Sequence, residues 1–253
     1  MTAATWQLQI PLDAIIFDCD GTLSSIEGID ELAKRNSKGP EVEAITAEAM
    51  GKIGINPNIY KKRLDLVKPT HEQVIALGME YFVHRVPHIE KLIALFKKMN
   101  KAIYIISAGL LPAITIFGKL LDIPPANIFA VNIDFDDQAH YLDFDHHSPL
   151  TTRDGKRLIL TQLKSRHQHL AFVGDGLNDY AAHDLVSRFI GYGGTYYREN
   201  IAELCQFYIK IHSLDPLLPL CLTEEEHQNL EPQEFERYKQ GLQAIAEGRV
   251  IIR

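Results

Sequence analysis

Cysteine is scarce in this chain of 253 residues. The three that occur, Cys19, Cys205 and Cys221, are an odd number without C-x-x-C spacing, which argues against a disulfide framework or a thiolate zinc site. Basic residues are also in deficit: 26 Lys and Arg against 33 Asp and Glu leave a net charge of -7, so no general affinity for nucleic acid or an anionic membrane is expected. No apolar run approaches the roughly 18 residues of a membrane span, and the N-terminus lacks the basic start and apolar stretch of a signal peptide. The expectation is a cytoplasmic protein, monomer or homodimer, whose partner is a small molecule. An anionic substrate would need a local cationic pocket. What is present is an ordinary globular composition, 46% hydrophobic and 23% charged, on a chain that can hold one large α/β domain or a core with a small insert.

The rest of the chain is organised around Ala14 to Thr22. Four apolar residues, Ala14 to Phe17, run into two carboxylates, Asp18 and Asp20, as a doubly buried parallel strand ending in chemistry would. Residues i and i+2 of an extended segment face the same side, so both carboxylates would converge just past the strand's end. Such a pair implies a bound cation such as Mg²⁺ or a shared proton. Gly21 permits a sharp turn there and Thr22 adds a hydroxyl. A solvated strand end followed by a turn has the same local composition. Cys19 is no promising nucleophile, since no adjacent histidine activates it and the flanking carboxylates raise its pKa.

Before the first strand, residues 1–13 read as a short arm or edge strand. Residues 23–80 read as a helical insert, with helical spacing over 27–34, 42–50 and 59–66, a break at 51–57, and Thr70 as an N-cap whose capping-box partner is Gln73. The amphipathic helix 88–98 leads to a second buried strand, Ala102 to Ile106, which ends at Ser107, Ala108 and Gly109 beside a helix carrying Pro112 in its first turn. A strand, a small hydroxyl residue, a glycine and a helix N-terminus together can bind phosphate through free N–H groups and the helix dipole.

The acidic stretch 132–147 lacks the glycine and the terminal glutamate of a calcium loop and reads as a solvated hairpin, with His146 and His147 at the surface. Lys156 starts a helix, where its charge opposes the dipole. Leu170 to Gly174 then repeats the opening theme, an apolar strand running into Asp175, Gly176, Asn178 and Asp179. Further strands are expected at 189–190 and 207–211, and helices from the Thr223 capping box and over 235–247. The last forty residues carry no chemical motif.

Strands alternating with helices give a Rossmann-like, mostly parallel sheet covered on both faces, whose ligand sits beyond the carboxyl ends of the strands. Asp18, Asp20, Ser107, Asp175 and Asp179 fall at such ends, and Lys156 begins a helix at the same edge. That inventory fits phosphoryl transfer. The four motifs resemble those of the haloacid-dehalogenase superfamily. The stretches 27–33, 49–51, 66–70 and 189–194, with Arg63 and Arg198, resemble its phosphoserine phosphatase branch over residues 14–211.

The resemblance implies an α/β core of residues 1–22 and 81–253 with a helical cap at 23–80. It implies Asp18 as the nucleophile that becomes an aspartyl-phosphate, and Asp20 as the acid and then the base. Mg²⁺ would be held by Asp18, the Asp20 carbonyl and Asp175. Ser107, Gly109 and Lys156 would grip the phosphate, with Asn178 nearby and Asp179 orienting Lys156 or a metal-bound water. Glu27 and Arg63 would read the ammonium and carboxylate of O-phosphoserine, and Met50 would give apolar cover. Gly21, where that branch has Ser, and Ala108, where it has Gly, are departures that bear on the substrate. Phosphoethanolamine, phosphocholine or histidinol phosphate are alternative substrates. A phosphomutase and a non-catalytic phosphate-binding protein are more distant readings.

Overall fold

A computed structural model describes residues 6–48 and 55–253. Its centre is a seven-stranded sheet in the order β3-β2-β1-β6-β7-β8-β9. The strands are β1 (Ala14–Phe17), β2 (Ala102–Leu110), β3 (Ile128–Val131), β6 (Leu170–Gly174), β7 (Arg188–Tyr192), β8 (Phe207–Ile209) and β9 (Val250–Ile252). All neighbours are parallel except β8 and β9, which are antiparallel. β4 (Ile133–Phe135) and β5 (Tyr141–Phe144) form the separate hairpin expected from the acidic stretch.

The central strands β1 and β6 are buried along their whole length, which explains their unbroken apolar character: helices cover both faces. Register then fixes where the chemistry emerges. Phe17 pairs with Ile105 on β2 and with Val173 on β6, so Asp18 leaves β1 at the sheet's carboxyl edge, close to where β6 ends at Gly174 and Asp175 follows. The strand β2 does not stop at Ile106, as its sequence implied. It continues through Ser107, Ala108 and Gly109 to Leu110, with an irregularity between Ile106 and Leu110, because Leu110 regains a partner in Val131 of β3.

Between β1 and β2 lie α1 (Gly28–Arg35), α2 (Gly39–Glu48), α3 (Pro57–Val67), α4 (His71–Val83) and α5 (Ile89–Lys98). Asn56 caps α3 through its side chain, and Thr70 with Gln73 forms both bonds of the capping box on α4, at 3.3 and 2.9 Å. After β2 come α6 (Leu111–Leu120), α7 (Gly155–Leu163), α8 (Leu177–Tyr180) and α9 (Glu199–Leu204). The C-terminal part adds α10 (Leu217–Cys221), α11 (Glu224–Gln228) and α12 (Pro232–Ala246) before β9.

Residues 6–13 form an arm rather than an edge strand. Leu8 bridges to Thr223, and the buried guanidinium of Arg188 donates to the Trp6 carbonyl at 2.7 Å and to the Leu220 carbonyl. Neither β9 nor α10 stood out in the sequence. No helix among the described residues is long and apolar enough to cross a membrane.

Candidate active site

Asp18 follows β1 directly, its N–H bonded to the Val173 carbonyl at 2.9 Å, and its side chain accepts from the Cys19 N–H at 2.7 Å. Gly21 turns the chain with φ +69°, and a Cβ there would lie 2.6 Å from Asp175 Oδ2, so this turn needs glycine twice over. Lys156 lies in the first turn of α7 with its side chain 5% exposed. Its Nζ stands 2.7 Å from Asp18 and 2.6 Å from Asp179. Burial opposes the lysine's charge, but Asp179 and Asp18 outweigh it and hold it above its ordinary value. The unfavourable position near the helix start is thus explained by two carboxylate partners. On Asp18, burial and then Asp179 push the carboxyl well up, and Lys156 works against them.

Asp175, at the end of β6, is buried completely. Its Oδ2 and carbonyl take the Arg198 guanidinium, the carbonyl at 2.9 Å, whereas Oδ1 is buried with no partner. Burial raises its carboxyl to about 6 although Arg198 lowers it. Asp179 also accepts from the Gly176 N–H at 2.9 Å.

Oxygen atoms of Asp18, Asp175 and Asp179 lie within 4.8 Å of one another. Three carboxylates this close, with Asp175 Oδ1 buried and unpartnered, offer hard oxygen donors for a divalent cation and fit Mg²⁺. The Asp20 carboxylate lies outside this group. Its Oδ1 accepts from the Gly28 N–H and the Tyr81 hydroxyl, both at 2.7 Å, and its Oδ2 from Ser107 Oγ at 3.2 Å. Ser107 Oγ in turn accepts from the Gly109 N–H at 2.9 Å.

Asp18, Asp20, Lys156 and Asp179 are among the residues that line a cavity of ≈ 70 Å³. At ~10–15 Å³ per water this holds about five to seven waters or one small molecule. Its lining includes Gly109 and Asn178 from the core as well as Ile55, Tyr60, Arg63 and Leu64 from the α3 region. Arg63 is 8% exposed, unlike its exposed neighbours Lys61 and Lys62. It lies near the Tyr60 ring and donates to Thr46 at 3.4 Å, leaving Nε unpartnered. Glu27, just ahead of α1, has a buried and unpartnered Oε1, with Arg198 at 3.9 Å. Burial, followed by Asp20 and Asp175, drives its carboxyl well up. Asn178 Oδ1 and Thr22 Oγ1 are likewise buried without partners. Met50 lies outside the described residues.

Residues 12–183 match the family model for haloacid dehalogenase-like hydrolases. The chain belongs to that family. Among the curated relatives of this haloacid dehalogenase-like hydrolase is the phosphoserine phosphatase of Bos taurus, 33% identical over 78% of this chain and 88% of the relative. The chloroplastic phosphoserine phosphatase of Arabidopsis thaliana is 33% identical over 81% of this chain and 72% of its own length. Among solved structures, a phosphoserine phosphohydrolase-like protein from Francisella tularensis superposes with a TM-score of 0.72 at 25% identity, over 79% of this chain and 96% of that one.

Two residues of this hydrolase's site carried no assigned role in the sequence. Arg198 was visible only as a motif residue, and its pairing with Asp175 crosses 23 positions. Tyr81 gave no signal, since an aromatic residue on an apolar helix face reads as core.

Proposed function

We propose that the protein is a Mg²⁺-dependent phosphomonoester hydrolase that converts O-phosphoserine and water to serine and phosphate. The observation that carries the choice of substrate is the pair Glu27 and Arg63. One carboxyl and one guanidinium side chain border the same small cavity, and each has a buried polar atom without a hydrogen-bond partner. Buried polar atoms left unpaired are costly, and a zwitterion would satisfy both. The ammonium would face Glu27 and the carboxylate would take the Arg63 guanidinium. The curated relatives support the same reading.

In this reading Asp18 attacks phosphorus as the bond to the serine oxygen breaks, and Asp20 protonates that leaving oxygen. Asp20 then takes a proton from the water that attacks the aspartyl-phosphate, releasing phosphate and restoring Asp18. Lys156, Ser107 and Gly109 bind the phosphate oxygens, and Asp179 holds Lys156 in place. Mg²⁺, bound by Asp18, Asp175 and the Asp20 carbonyl, would neutralise the charge gathered between carboxylates and phosphate. Residues 23–80 act as a cap on the core of residues 1–22 and 81–253, excluding bulk water.

Phosphoethanolamine and phosphocholine would leave Arg63 without a counter-charge, which places them second. The test is Arg63→Ala. Losing a charge-assisted contact costs about 2–5 kcal/mol, so kcat/KM for phosphoserine should fall at least about tenfold. Hydrolysis of p-nitrophenyl phosphate, which has no carboxylate, should barely change. Equal losses on both substrates, or a wild-type preference for phosphoethanolamine, would remove the serine assignment.

A further inference from the structure

Asp20 is held by a residue from an unexpected quarter. Tyr81, on the last turn of α4, is 1% exposed, and its hydroxyl reaches Asp20 Oδ1 at 2.7 Å across 61 positions of sequence. The approach has been given room. Gly28, which donates its own N–H to the same Oδ1, carries no side chain where the tyrosine hydroxyl sits; a Cβ there would overlap it. One helical turn before Tyr81, Gly78 lets α4 settle onto α6, since a Cβ at Gly78 would stand 2.6 Å from Ile116 Cβ. The Tyr81 ring then stacks on Phe117 of α6 at 5.7 Å, which fixes its plane.

The two oxygens of Asp20 thereby become unequal. Oδ1 accepts two short hydrogen bonds from Gly28 and Tyr81, while Oδ2 faces Ser107 Oγ at 3.2 Å, on the Gly109 side of the cavity. We propose that Tyr81 is a positioning residue for proton transfer, locking Asp20 so that Oδ2 alone is presented to the leaving oxygen. The inference rests on the phosphomonoesterase reading above. As the P–O bond breaks, its electron pair goes to the leaving oxygen, the proton on Oδ2 follows, and Asp20 is left as a carboxylate. Its Oδ1 is already paired with two donors, so the new charge forms in prepared surroundings. The phenol donates throughout and never loses its proton; burial, with Asp20 next, keeps it well above its ordinary value.

The experiment is Tyr81→Phe, which removes one oxygen and keeps the ring. The readout is kcat/KM for two phosphomonoesters, because this parameter stops at the first phosphoryl transfer and is blind to the later hydrolysis of the aspartyl-phosphate. An alkyl phosphate, phosphoserine, needs a proton on its leaving oxygen. The p-nitrophenolate leaving group of p-nitrophenyl phosphate does not. The expected result is a loss of about tenfold or more for phosphoserine, with less than about twofold change for p-nitrophenyl phosphate. The ratio is internal to one protein sample, so partial unfolding cancels. Equal losses on both substrates, or none on either, would overturn the role of Tyr81. A wild type that hydrolyses p-nitrophenyl phosphate but not phosphoserine would instead overturn the serine assignment. The same comparison with phosphoethanolamine, also an alkyl phosphate, then decides Tyr81 by the same two outcomes.

Discussion

Lys156 stands 2.7 Å from Asp18 and 2.6 Å from Asp179, with all three side chains nearly sealed from solvent. A cation shared by two buried carboxylates is a structural as well as a chemical element. Removing one partner of such a pair leaves uncompensated charge in the interior. Lys156→Met should therefore lower stability by about 3–5 kcal/mol, read by urea denaturation in the presence of a chelator. Lys61→Met breaks the exposed pair with Asp65 and should leave the midpoint unchanged. Similar midpoints for the two variants would contradict this account of Lys156.

Turnover depends on Asp18 in a different way. Asp18→Asn keeps the shape but offers phosphorus a poor nucleophile, so kcat should drop by at least about 10³-fold while the folded circular dichroism spectrum is retained. A folded Asp18→Asn protein with near-normal turnover would exclude an aspartyl-phosphate on this residue.

The carboxyl of Asp175 predicts a pH-dependent response to metal. Burial lifts it from 3.8 in ordinary surroundings to about 6 in the fold. Without metal, its contribution to stability is fully present below about pH 4, where both states hold the proton. It is lost as the pH climbs through 6, a change of roughly 3 kcal/mol. A divalent cation replaces that proton. The rise in Tm on adding Mg²⁺ should be small near about pH 5 and large above about pH 7, measured by differential scanning calorimetry. A rise of equal size at both pH values would argue against Asp175 as a ligand.

The parts of the molecule legible in the sequence are those whose cause is local. β1 and β6 are each a short apolar run followed by carboxylates, because a strand buried on both faces and ending at a polar edge leaves no other pattern. The capping box at Thr70 needs only four residues to declare itself. What was hidden depends on distant partners. The strand β2 runs past Ser107 only because Val131 awaits Leu110. β9 is three residues long, and its antiparallel pairing is decided by the unpaired edge of β8. Arg63 follows two exposed lysines at 61 and 62 and looks solvated until α3 is packed, and Tyr81 looks like core until Gly28 and Asp20 are seen beneath it.

Arg188 begins β7 and holds the Trp6 and Leu220 carbonyls, while Arg253, just beyond β9, donates to the Ala202 and Cys205 carbonyls at 2.7 and 2.6 Å. Both tethers sit at the amino edge of the parallel strands, and strands of four or five residues separate that edge from the carboxylates by about 13–16 Å. Anything joined beyond Arg253 would therefore hang from the face remote from the cavity. Immobilising the protein on a solid support at Arg253 would leave the cavity's mouth open to the solution.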